Sequence, residues 1–211
     1  MNTVILPEKT IERLSEYRRT LLNCLAKGKT HIYSHELADL HNITAVQVRR
    51  DLMLIGYSSQ KKKGYDAQEL VNVIGNIIDH ETGLNVAVVG MGNLGRAITS
   101  YFNGKRPKMN IVAAFDIDPN KINRVIAGVN CYHFKELHEV VKRNDISIAI
   151  ISSPPDTAPL VAEQLVSAGI KGILNFTTVP ITVPDTVYLE EYDMITSMEK
   201  VAYFVKKSYA R

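Results

Sequence analysis

Asn85-Val86-Ala87-Val88-Val89-Gly90-Met91-Gly92-Asn93-Leu94-Gly95 sets a glycine fingerprint directly behind a short apolar run. The run predicts a buried strand, and Leu94, Ala97, Ile98 and Tyr101 recur at helical spacing after it. An isolated Gly-x-Gly-x-x-Gly is weak evidence, but here it stands between strand and helix, the context that dinucleotide binding requires. Gly90 permits the tight turn, Gly92 lets the backbone approach a pyrophosphate, and Gly95 allows close packing of helix on strand. The phosphates then face the helix N-terminus near Asn93. Gly90, Met91, Gly92, Asn93, Leu94 and Gly95 are therefore the expected cofactor cradle.

A second strand, Ile111-Val112-Ala113-Ala114-Phe115, ends in Asp116-Ile117-Asp118-Pro119. Asp116 is expected to accept from the adenosine ribose hydroxyls and to repel a 2′-phosphate, which favours NAD(H) over NADP(H). It lies 26 residues after Gly90, beyond the usual spacing of about 20, and the polar loop from Asn103 to Lys108 accounts for the excess. The alternative is a solvated turn acid, a description that suits Asp118 better. These features predict a parallel, Rossmann-type α/β sheet.

The chain has 211 residues, 45% hydrophobic and 22% charged, enough for one domain or two small ones. No apolar run reaches the roughly 18 residues of a membrane span, and Met1 to Pro7 lacks the pattern of a signal peptide. A cytoplasmic protein without membrane association is expected. Cys24 and Cys131 stand far apart, so neither a disulfide framework nor a thiolate metal site is indicated, and Cys24 reads as a helix core residue.

The rival class is an enzyme or ligand carrier on the same unit, an NAD-dependent oxidoreductase or a CoA-binding Rossmann protein. Only about a hundred residues follow Gly95, enough to complete the sheet and add a helix but not a substrate domain. The six histidines form no acid–base pair or metal cluster. No Gly-x-Ser-x-Gly, Walker A or His-Glu-x-x-His motif occurs. Catalytic and metal-ligating residues are therefore expected to be absent.

Upstream, Arg49, Arg50, Lys61, Lys62 and Lys63 face Asp51 alone between Thr44 and Tyr65. By default such a run is a solvated surface; clustered, it is a footprint for phosphates. Its setting is a helix-turn-helix with a wing. Ile11, Leu14, Leu21, Leu22 and Leu25 mark a long first helix after Pro7. Ser34 is expected to cap a second helix over 35–40, and Thr44 a third running to Leu54, stopped by Gly56. On the third helix Val46, Val48, Leu52 and Ile55 are expected to pack inward, leaving Gln47, Arg49 and Arg50 for a major groove. Gln47 has a second possible task, because Thr44-x-x-Gln47 is also a capping box. The polar stretch Tyr57 to Tyr65 predicts a short basic hairpin, the wing, and Asp66-x-x-Glu69 opens a further helix to about Asp79. Ser34, Thr44, Gln47, Arg49, Arg50, Lys61, Lys62 and Lys63 form the expected DNA-facing set.

Taken in order, Tyr17-Arg18-Arg19, Val46-Gln47-Val48-Arg49-Arg50-Asp51-Leu52, Gly64-Tyr65-Asp66, Gly90 to Gly95, Phe115-Asp116-Ile117-Asp118-Pro119 and Gly172-Ile173-Leu174-Asn175-Phe176 span nearly the whole chain. This series resembles the Rex family of redox-sensing transcriptional repressors. The resemblance implies a winged-helix DNA-binding domain over 1–80, an NAD(H)-binding Rossmann domain over 81–192 and a C-terminal helix over 193–211 swapped within a homodimer. It also implies a palindromic double-stranded DNA operator that is released when NADH binds.

Met194, Ile195, Met198, Val201, Ala202 and Val205 give the C-terminal helix a wide apolar face after a strand-like segment over 186–190, and that face must be buried somewhere. Docking on its own domain is one solution; the resemblance implies exchange across a dimer. It further places Tyr101 and Asp193 beside the nicotinamide, makes Arg19 the partner of that aspartate, and lets Ser152-Ser153-Pro154 line the cleft, with Ser153 and Pro154 in contact. The chain departs from the family pattern in the wing, where Ser58 to Lys63 replaces a glycine-rich texture, and at Thr177-Thr178 and Met194.

Overall fold

The computed structural model describes residues 6–58, 63–102 and 108–208, which divide into two compact units, Met1–Glu81 and Thr82–Arg211.

In the first unit, α1 (Glu8–Ala26) begins behind Pro7, whose carbonyl accepts from the N–H groups of Thr10 and Ile11. Leu14, Tyr17 and Leu21 recur at helical spacing and are fully buried against Leu70 and Ile74 of α4 (Ala67–Ile78). Leu22, expected in that core, is exposed because it falls off the Leu14–Leu21 stripe. Between these helices lie β1 (His31–Ile32), α2 (Ser34–His41), α3 (Ala45–Leu54) and β2 (Tyr65–Asp66), and β1 pairs antiparallel with β2. Asn42, in the left-handed region, ends α2, and Gly56 at φ +71° ends α3. Thr44 Oγ1 accepts from the Gln47 N–H and caps α3 as expected. Ser34 is instead the first residue of α2; the Tyr33 N–H before it is satisfied by Glu36. Within the expected wing, residues 59–62, including Lys61 and Lys62, lie outside the described residues.

The second unit contains β3 (Leu84–Val89), α5 (Asn93–Phe102), β4 (Met109–Asp116), β5 (Arg124–Ile126) and β6 (Val129–His133). It continues through α6 (Leu137–Arg143), β7 (Ile146–Ile151), α7 (Ala158–Ser167), β8 (Gly172–Asn175), β9 (Tyr188–Glu191) and α8 (Met194–Ser208). Among the described residues the sheet order is β5-β6-β4-β3-β7-β8-β9, parallel except for β5. Without β5 this is the doubly wound dinucleotide-binding order, with its switch point between β3 and β7. The period-two pattern of β3 shows both faces covered. Val86 and Val88 pack with Ile98 of α5, whereas Ala87 and Val89 join Val140, Val161 and Leu165 of α6 and α7.

Candidate functional site

The glycine loop leaves β3 at the switch point and is fastened on both sides. Gly90 donates its N–H to the Phe115 carbonyl at the end of β4, 2.8 Å away. From the loop after β7, Ser152 donates its N–H to the Val89 carbonyl and its hydroxyl to the Gly90 carbonyl, each at 2.9 Å. Gly90 holds φ +93°, and a Cβ there would meet the backbone of Ser152 and Ser153. A Cβ on Gly95 would overlap the Gly90 carbonyl. Gly92 differs: nothing lies within 4 Å of the space its Cβ would fill. Two glycines thus serve packing, and the third opens a cradle at the N-terminus of α5 that fits a pyrophosphate.

Met91 is buried, with its sulfur toward the Thr99 hydroxyl, while Asn93 is exposed and Leu94 half-buried. Arg96 donates Nε to the Met91 carbonyl and braces the loop from the first turn of α5. In the facing loop the Thr157 hydroxyl lies 3.1 Å from Ser153 Oγ and 2.8 Å from the Pro154 carbonyl.

Asp116 ends β4 with its side chain only 8% exposed. Oδ1 accepts from the N–H groups of Ile117 and Asp118, and Oδ2 from the Met91 N–H at 2.8 Å and Lys121 Nζ at 3.0 Å. Burial alone would raise its pKa, but these donors and the Lys121 charge hold it below the usual carboxylate range. Lys121, absent from the sequence-derived site, and Ser152, expected only to line the cleft, are therefore part of its framework. The Ser152 contacts follow from close loop approach, which the small side chain signals; nothing in sequence distance links Lys121 to Met91.

Tyr101 is exposed on the last turn of α5, its ring 5.5 Å from that of Phe102. Asp193 opens α8: Oδ1 accepts from the Ile195 N–H at 2.8 Å and Oδ2 from the Thr196 hydroxyl at 2.6 Å. These donors lower its pKa. In the other unit, Arg19 is exposed on α1.

The residues expected to face DNA centre on α3, whose inward side carries Val48, Asp51 and Leu52. Asp51 is fully buried and accepts from Arg13 Nε and Nη2 at 2.7 and 2.8 Å, the Tyr17 hydroxyl at 2.9 Å and Gln47 Nε2 at 2.9 Å. Burial opposes ionisation, but the Arg13, Tyr17 and Gln47 donors outweigh it and lower the pKa. The node fixes α3 to α1. A carboxylate between Val48 and Leu52 on an apolar face was its sequence signal. Gln47 consequently points its amide at Asp51 rather than back to the Thr44 backbone. Arg49 donates to Ser34 Oγ at 3.1 Å, and Arg50, Thr44 and Lys63 are exposed. Val46, expected inside, is 65% exposed.

Among the described residues no group of three His, Cys, Asp or Glu side chains could hold a metal ion, and no helix is long and apolar enough to cross a membrane.

Residues 79–179 match the family described as "CoA binding domain", and residues 5–52 match "Putative DNA-binding protein N-terminus". The redox-sensing transcriptional repressor Rex of Leuconostoc citreum is 36% identical over 95% of this chain and 93% of its own. That of Listeria welshimeri is 32% identical over 99% and 97%. The crystal structure of RSP, a Rex-family repressor, in complex with β-NAD⁺ and operator DNA superposes with a TM-score of 0.90, at 33% identity over 98% of this chain and 95% of RSP. RSP with β-NADH gives 0.86 at 32% identity, covering 98% and 97%. The fold built around the glycine cradle and the basic helix α3 is thus shared with RSP over nearly the whole chain, and the chain belongs to the Rex family of redox-sensing transcriptional repressors.

Proposed function

We propose that this protein is a cytoplasmic, non-enzymatic transcriptional repressor that reads the NADH/NAD⁺ ratio, binding palindromic operator DNA as a homodimer and leaving it when NADH binds. One observation carries this reading: a single chain joins an open glycine cradle at a Rossmann switch point to a separate unit presenting a basic, outward-facing α3. The complexes of RSP with NAD⁺ and operator DNA, and with NADH, support the same assignment.

The residues present fit NAD(H). The N–H groups at the start of α5 and the space above Gly92 would take the pyrophosphate, with Ser153 and Pro154 on the other wall of the crevice. When bound, the coenzyme supplies a redox-dependent charge, because NAD⁺ and NADH differ by one positive charge and by ring planarity. Asp193, held ionised by donors from Ile195 and Thr196, is the carboxylate proposed to register that difference, with Tyr101 beside it at the nicotinamide and Arg19 as its partner. Only unequal affinity for two arrangements of the dimer moves the DNA-binding units.

Homodimer formation follows from α8. Ile195, Met198, Val201, Phe204 and Val205 are all exposed on it, and an apolar face of this extent marks an interaction surface. Exchange of α8 between two copies buries it and yields the two α3 helices that a palindrome needs.

Titration of the full chain with NADH, read by coenzyme fluorescence and repeated with NADPH and CoA as competitors, tests the ligand. Saturable NADH binding that NADPH and CoA displace weakly is expected. Displacement by CoA at lower concentration than by NAD⁺ would overturn it in favour of a CoA-binding protein.

A further inference from the structure

The outward face of α3 is not uniformly polar. Val46 is 65% exposed and Met53 72%, and with Arg49, Arg50 and Leu54 they line a shallow concavity on the helix surface. Val46, Arg50 and Met53 follow one another at helical spacing and form a spine two turns long, with the Arg50 guanidinium between its two apolar ends. The polar groups next to this spine are already committed, Gln47 to Asp51 and Arg49 to Ser34. Arg50 has no hydrogen-bond or ion-pair partner among the described residues. Val46 lies in the first turn of α3, immediately after Ala45, where a recognition helix meets base edges.

We infer that Val46 is a specificity-determining residue that reads thymine through its 5-methyl group in the major groove. This proposal rests on the operator-binding function above. The major groove offers one apolar feature, the thymine methyl, and a β-branched side chain without hydrogen-bonding atoms distinguishes bases only through it. Flanking arginines supply the charge complementarity that brings this face to DNA rather than to an apolar protein surface. With Gln47 tied to Asp51, the groove contact that was one of its two possible tasks passes at this turn to Val46.

The test begins by selecting bound sites from random double-stranded DNA with the full-length protein. Each thymine of the recovered site is then replaced by deoxyuridine, which removes only the methyl group. For the unmodified protein, a symmetry-related pair of replacements should weaken binding about ten- to twentyfold in gel-shift titrations, the size expected for one desolvated methyl per half-site. Val46→Asn, which puts a polar group where the apolar one stood, should bind the thymine and deoxyuridine sites equally while retaining its NADH affinity. If no replacement weakens binding more than about twofold while Arg50→Ala still does, thymine reading by Val46 is wrong and operator binding stands. Failure to select any site would overturn operator binding itself, and the proposal with it.

Discussion

The backbone N–H of Met91 donates to Asp116 Oδ2 at 2.8 Å, so the carboxylate that ends β4 holds the glycine loop that ends β3. With Lys121, Ile117 and Asp118 on its remaining lone pairs, Asp116 shapes the cradle from behind. Asp116→Ala should therefore weaken NADH and NADPH binding together, by about tenfold or more, since a charge-assisted hydrogen bond contributes on the order of 1.5–3 kcal/mol. Coenzyme fluorescence titration checks this. A variant that gains NADPH while keeping NADH would show that the carboxylate faces the ribose directly.

Gly92 and Gly95 should respond differently to the same added methyl group. Gly95→Ala drives Cβ into the Gly90 carbonyl and should lower the melting temperature sharply. Gly92→Ala meets nothing in the protein. It should melt within a few degrees of the parent, because an unobstructed surface change is usually within about 0.5 kcal/mol, yet lose NADH affinity.

Removing Arg13 leaves Asp51 buried without its cation. Arg13→Ala should destabilise the first unit by about 3–5 kcal/mol, the range for breaking one side of a buried pair, as measured by denaturant unfolding. It should leave NADH binding unchanged.

Acid should act through the same carboxylates. Asp51 and Asp116 are more acidic in the native state than in the unfolded chain, so their stabilisation is complete above the unfolded value near about 4 and is lost as pH falls through the lower native values. The melting temperature should be nearly flat between about pH 7 and 5 and fall below about pH 4. Asp51→Asn should reduce that acid slope. An unchanged slope in Asp51→Asn would remove Asp51 from the acid response.

Asp193 combines a cap with a proposed switch, and serine separates them. Asp193→Ser keeps an N-cap acceptor for α8 but removes the charge. The dimer should persist in sedimentation, while the difference between NADH and NAD⁺ in operator release should shrink. Full retention of that difference would take Asp193 out of the switch.

The sequence made the strand–glycine–helix unit legible because Gly90 and Gly95 answer local backbone demands and Gly92 leaves room for a ligand. The cap at Thr44 and the stop at Gly56 were legible for the same reason. The β5–β6 hairpin was not: its turn is Ala127-Gly128, and Ala127 at φ +52° gives no sign of a left-handed residue. Val46 was misplaced because valine signals burial whether the surface that buries it is protein or a ligand. Asp116 was found but its partners were not, since the Met91 N–H carries no side-chain signature and Lys121 reads as an ordinary surface cation.

Coupling between the coenzyme cradle and the α3 helices is tested most directly by fluorescence anisotropy of a labelled operator fragment, taken from the selected sites, bound to the full-length dimer. Micromolar NADH should lower the anisotropy to that of free DNA, and NAD⁺ at the same concentration should leave the complex intact. Identical curves for the two coenzymes, with NADH binding verified in the same samples, would contradict the account.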